Sequence, residues 1–124
     1  MKRNILISIK PQHVQNIIKG IKKFEYRKKA AKGDIGKIII YETRPVRKIV
    51  AEAEIVDVLK MSPEDLWNVT KNASGISKQF FDTYFKNCNV AYAYRLGSIK
   101  VYEEPKELTE YGVRAAPQSF VYVG

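Results

Sequence analysis

Within the eight residues Gly20-Ile21-Lys22-Lys23-Phe24-Glu25-Tyr26-Arg27 the chain changes from a helical to an extended period. Upstream, Val14, Ile17, Ile18 and Ile21 recur at spacings of three and four, which makes one apolar stripe. Pro11 suits the first turn of that helix, and Gly20 stands just past its end, where a residue free to turn left-handed is needed. Downstream, Phe24 and Tyr26 alternate with Glu25 and Arg27, which is strand periodicity. The alternation predicts Phe24 and Tyr26 facing the core, with Glu25 and Arg27 together on the other face. Lys22 falls at the corner, where the backbone is not yet regular, and can swing to join them. A Lys, a Glu and an Arg would then share one small polar site.

The rest of the chain supplies strands for this corner to sit against. Ile5 to Ile9 is apolar and rich in β-branched residues, which predicts a buried strand ended by Lys10-Pro11. The motif strand spans 23–28, and residues 29–34 form a loop. Strands follow at 36–42 and 48–59, the second with one slip of alternation that a β-bulge would produce. Ser62-Pro63-Glu64-Asp65 starts a helix and Ser77 caps a second, so 62–87 reads as a helical insertion. Strand-like stretches at 89–94 and 99–102 are split by Gly97. Residues 105–111 hold a turn of helix, and 120–123 form a closing strand. Short connections favour antiparallel neighbours. The expectation is a single α+β domain over 1–124: a mixed, mostly antiparallel barrel of about five to seven strands, with helices over its ends.

The spacing G-x-K-x-x-E-x-R at Gly20, Lys22, Glu25 and Arg27 resembles the signature of the ASCH domain, a member of the PUA-like superfamily of small β-barrels. Ser8-Ile9-Lys10-Pro11 is similar to that family's usual entry into the helix, and the resemblance extends over the whole chain. It implies that Lys22, Glu25 and Arg27 face a cleft between the first helix and the barrel, where RNA or a nucleotide binds. Without it, the bland reading is a salt-bridged strand corner, since surface ion pairs are common and weak. The Pro117-Gln118-Ser119-Phe120 ending is similar to one in family members, which makes Gln118 and Ser119 possible cleft residues. Their alternative is a turn that starts a strand.

Charge bears on the ligand. The chain carries 22 Lys and Arg against 13 Asp and Glu, a formal net charge of +9, which biases it towards polyanions. The distribution is local: Lys19, Lys22, Lys23, Arg27, Lys28, Lys29 and Lys32 fall in 14 residues interrupted by Glu25 alone. Lys10 lies upstream, either as a phosphate contact or as a solvated strand end. Lys22 and Arg27 can hold a phosphate, Arg27 by a bidentate fork. Glu25 can accept from a base amino group or work as an acid or base. The nucleic-acid contacts expected are Lys10, Lys22, Lys23, Glu25, Arg27, Lys28, Lys29, Gln118 and Ser119. Tyr26, Tyr41 and Tyr92 sit in apolar strands and count as core. His13 lies off the helical stripe and reads as a solvated residue.

Other classes find little support. One cysteine, Cys88, cannot build a disulfide framework, and with His13 the sole histidine neither metal nor cofactor is expected. No apolar run approaches a membrane span, and the basic, apolar start is too short for a secretory signal, so the expected location is cytoplasmic. Three functions remain. The first is an RNA- or nucleotide-binding module that regulates transcription or translation. The second is a small hydrolase of modified nucleosides, similar to ASCH proteins that deacetylate acetylcytidine with a Lys, a Thr and a Glu, or a ribonuclease. Lys22 matches that lysine, but Glu25 occupies the threonine position and the third residue has no secure match. Lys22 and Glu25 are thus the catalytic candidates, with weak acetylcytidine hydrolysis expected at best. The third is a protein–protein adaptor.

Overall fold

A computed structural model describes residues 2–124. Six strands form one sheet: β1 (Arg3–Ile9), β2 (Phe24–Arg27), β3 (Ile35–Glu42), β4 (Lys48–Met61), β5 (Ala91–Lys106) and β6 (Phe120–Val123), in the order β2-β5-β4-β3-β1-β6. Only β1 and β3 run parallel, Ile5 opposite Ile38; all other neighbours are antiparallel. Helix α1 (Pro11–Ile18) crosses between β1 and β2. Helices α2 (Pro63–Thr70) and α3 (Lys78–Tyr84) lie between β4 and β5.

The expected barrel is not closed. β2 and β6 are the two edges, and no ladder joins them. The physical reason lies at the end of β1. β6 pairs only with Asn4 to Ile7, so Ser8 and the residues after it have one unpaired side. β2 is four residues long, and its last residue reaches across that gap with a side chain: Arg27 Nη2 donates to the Ser8 carbonyl at 3.0 Å. An ion-bearing side chain thus takes the place of a backbone ladder, and the seam it spans is open.

Local chemistry accounts for the elements. β1 is buried on both faces: Ile5, Ile7 and Ile9 pack with Val14 and Ile17 of α1, while Leu6 packs with Ile39, Ile49 and Val123. Gly20 turns left-handed at φ +78° and directs the chain into the corner. Ile21, assigned to the apolar stripe, is instead 55% exposed, because α1 stops at Ile18. Ser62 and Ser77 each accept from the backbone three residues on, at Asp65 and Phe80. The slip in β4 appears as register shifts against β5 on both sides of Ile55. β5 is continuous, not two strands. Gly97 packs against Val56 of the shifted segment, where an added Cβ would lie 3.1 Å from a methyl group. No helix among the described residues is long and apolar enough to cross a membrane.

Candidate functional site

The open seam is a cavity of about 400 Å3. Ser8, Ile9 and Lys10 come from the end of β1, His13 from α1, and Glu25, Tyr26 and Arg27 from β2; Lys22 comes from the corner between. The helical insertion supplies the facing wall with Ile76, Phe80 and Tyr84. Thr43, Pro117 and Gln118 complete it.

Glu25 is the centre of the polar wall. It is buried at 6% exposure, although the alternation of β2 predicts it opposite the core. It is covered because the insertion encloses one side of the strand and the end of β1 the other. Arg27 donates to its Oε2 from Nε at 3.1 Å and from Nη2 at 2.7 Å. Lys22 Nζ lies 3.9 Å from Oε1. Two cations therefore flank one carboxylate, and Oε1 retains capacity to accept from a ligand.

Lys22 is only 3% exposed. Its ammonium donates to the Ser74 carbonyl at 3.2 Å and sits 4.7 Å from the centre of the Tyr26 ring. Burial pulls its pKa below the ordinary lysine value; Glu25 opposes that and Arg27 adds to it. The insertion clamps this corner. Lys23 N donates to the Ala73 carbonyl at 2.9 Å, and the Gly75 backbone lies directly on the Lys22 side chain. At Gly75 φ is +68°, and an added Cβ would stand 2.4 Å from Lys22 Cβ. Gly75→Ala is expected to cost roughly 2–4 kcal/mol, through left-handed strain plus overpacking, which a denaturant titration would read as a lower midpoint. Tyr26 is fixed by donating to Thr70 Oγ1 at 2.7 Å, and burial raises its phenol to about 12.

Of the other residues singled out from sequence, Lys10 and Gln118 line the cavity and are exposed at its mouth. Ser8 is in the wall with its hydroxyl donating to the Pro117 carbonyl at 2.8 Å. Lys23, Lys28, Lys29 and Ser119 are exposed and do not line it. Lys28 Nζ stands 5.1 Å from the centre of the Tyr84 ring, on the rim. Tyr41 is buried and Tyr92 half-buried.

Sequence reasoning missed His13, Thr43, Ile76, Phe80 and Tyr84 as wall residues. His13 is half-buried, not solvated: its ring meets Phe80 edge to face at 5.4 Å, and its Nδ1 is enclosed without a hydrogen-bond partner. Burial, then the Lys22 charge, hold its pKa below the ordinary value. Phe80 and Tyr84 carry a helical spacing of four, which marks an apolar face but not what that face covers. Among the described residues no three His, Cys, Asp or Glu gather as a metal centre would need.

Residues 7–118 match the model of the ASCH domain. The chain is 27% identical over 124 residues to the ATP synthase subunit alpha of Ureaplasma parvum, covering 98% of itself but 15% of that protein. It is 27% identical over 120 residues to the same organism's large ribosomal subunit protein uL22, covering 96% of itself and 39% of uL22. The chain thus spans well under half the length of these relatives. An ASCH domain-containing ribonuclease of Zymomonas mobilis is 26% identical over 96 residues, 77% of this chain and 65% of that one. The crystal structure of ASCH from Zymomonas mobilis superposes with a TM-score of 0.88 at 24% identity, covering 98% of this chain and 87% of that one.

Proposed function

The chain belongs to the ASCH domain family, and we propose that it binds single-stranded RNA, seating one nucleotide in the seam between β1 and β2. The observation that carries this is the convergence of Lys22, Glu25 and Arg27 on one wall of an open cavity whose facing wall is apolar and aromatic. Lys10, Lys22 and Arg27 give the cavity three cations against one carboxylate, which suits a phosphate. Phe80 and Tyr84 offer rings on which a base can stack, and Glu25 Oε1 can accept from a base amino group. Lys28 and Lys29 extend the positive surface along the strand path. Such a module would act in cytoplasmic transcription or translation; an ASCH domain-containing ribonuclease is among its relatives.

Phosphate contacts make affinity fall with salt, on a single strand by about 0.7 logarithmic unit per contact for each tenfold rise in salt. Titration of fluorescent single-stranded oligoribonucleotides at several salt concentrations tests this. Lys28→Ala or Lys29→Ala is expected to reduce the slope by up to about one unit without changing preference among sequences. A Lys22→Ala/Arg27→Ala double variant that folds and binds like wild type would reduce the motif to a structural corner.

One observation favours a second reading, ribonuclease action. A buried lysine with a lowered pKa, next to a carboxylate, is suited to passing a proton. Incubating the same oligonucleotides and resolving products by length tests it. Cleavage lost in Lys22→Arg, which keeps charge but cannot release a proton, would make the domain an enzyme. Intact RNA after prolonged incubation with wild type would leave binding alone.

A further inference from the structure

The cleft does not end at His13. Beyond that ring a smaller cavity of about 230 Å3 opens, lined by Gln12, Asn16, Ser77 and Gly75. His13, Ile76 and Phe80 line both cavities. The His13 and Phe80 rings meet edge to face, with planes at 68°, and form a partition between the compartments.

The two compartments differ in charge. The larger holds Lys10, Lys22, Glu25 and Arg27. The smaller has, apart from His13, only amide, hydroxyl, apolar and backbone groups. A phosphate placed there would lack a cationic partner, and desolvating it would be costly. A neutral planar group with donors and acceptors along its edge fits better, because the Gln12 and Asn16 amides both donate and accept. Phe80, 41% exposed, leaves ring surface for such a group to pack on.

We propose that the smaller cavity is a subsite for the base of the adjacent nucleotide, so that the domain engages a two-nucleotide step whose linkage passes over the His13–Phe80 partition. This rests on the reading of the larger cavity as a nucleotide site, and it adds a place where sequence preference arises. His13, with Nδ1 enclosed and unpartnered, keeps Nε2 as its available hydrogen-bonding atom. A neutral ring at the partition separates the two bases without adding a cation, consistent with the burial and the Lys22 charge that disfavour its protonation.

Calorimetric titrations with uridine 3′-monophosphate and with the dinucleoside monophosphates test the subsite. Wild type is expected to bind the preferred dinucleotide about tenfold more tightly than the mononucleotide, the second base gaining edge hydrogen bonds from Gln12 and Asn16 beside its contact with Phe80. Gln12 is exposed in the first turn of α1 and lines only the smaller cavity. Gln12→Ala is therefore expected to erase that gain and leave mononucleotide affinity unchanged, whereas Lys22→Met weakens both. Equal binding of mono- and dinucleotides by wild type, with Lys22→Met weakening both, would overturn the subsite and leave the one-nucleotide cleft standing. A dinucleotide gain that survives Gln12→Ala would also overturn it. No binding of any probe would overturn the cleft and the subsite together.

Discussion

Lys22→Met is expected to fold more stably than wild type while losing most RNA affinity, at least tenfold. The lysine is enclosed, its nearest carboxylate oxygen is 3.9 Å away, and that carboxylate is already held twice by Arg27. Its amine is therefore enclosed in a site that disfavours ionisation, at a cost to the fold. Methionine fills a similar volume without the charge and leaves the Glu25–Arg27 pair intact. Relief of that desolvation is offset in part because the buried Ser74 carbonyl loses its donor, so a net gain of no more than about 1 kcal/mol is expected. The pH dependence follows from the sign of the shift. With the folded pKa below the unfolded value, the unfolded chain holds more protons between the two. Wild-type stability therefore rises with pH through that window, below the ordinary lysine value of 10.5, and Lys22→Met removes the rise. Tyr26 acts oppositely above about pH 10, because its folded pKa is raised, so the comparison belongs below that. Denaturant midpoints at neutral and mildly alkaline pH would show both effects; a less stable variant with the same pH profile would contradict them.

A large loss of stability is expected from Glu25→Leu. Removing the carboxylate leaves Lys22 and Arg27 facing each other with nothing between them, both largely enclosed. Breaking a buried pair by deleting one partner costs about 3–5 kcal/mol, and the exposure remaining to Arg27 places this case at the lower end. Arg27 would also lose the carboxylate that aims it at the Ser8 carbonyl, so the seam between β1 and β2 would loosen. Glu25→Gln keeps the shape and an acceptor, and is expected to cost less while changing which base is preferred. Chemical denaturation of the two variants compares them. A Leu variant as stable as wild type would mean that the carboxylate organises nothing.

These two substitutions show what the sequence carried and what it left out. The corner was legible, because a helical period, a glycine and a strand period follow each other within eight residues. The caps at Ser62 and Ser77 and the bulged phase of β4 were legible for the same reason: each is a local signal. The open sheet was not. Closure depends on whether β2 and β6 reach each other, which is a matter of strand length and direction in space. Burial of Glu25 was hidden because alternation describes one strand and not what meets its other face: the insertion covers Phe24 and Tyr26, and the end of β1 covers Glu25. His13 reads as solvated by its position on α1, and becomes a wall only once Phe80 arrives from α3. Ser119 stands next to Gln118 in sequence, yet only Gln118 lines the cavity, because the chain bends at these two residues before β6 begins at Phe120.

Titration of isotopically labelled protein with uridine 3′-monophosphate, followed by chemical-shift mapping, most directly tests whether the seam is the nucleotide site. The account predicts saturable shifts at Lys22, Glu25, Arg27, Phe80 and Tyr84, with little change at Val56 and Val101 on the exposed sheet surface. Shifts confined to Lys28, Lys29 and Lys32, or absent at the seam, would contradict it.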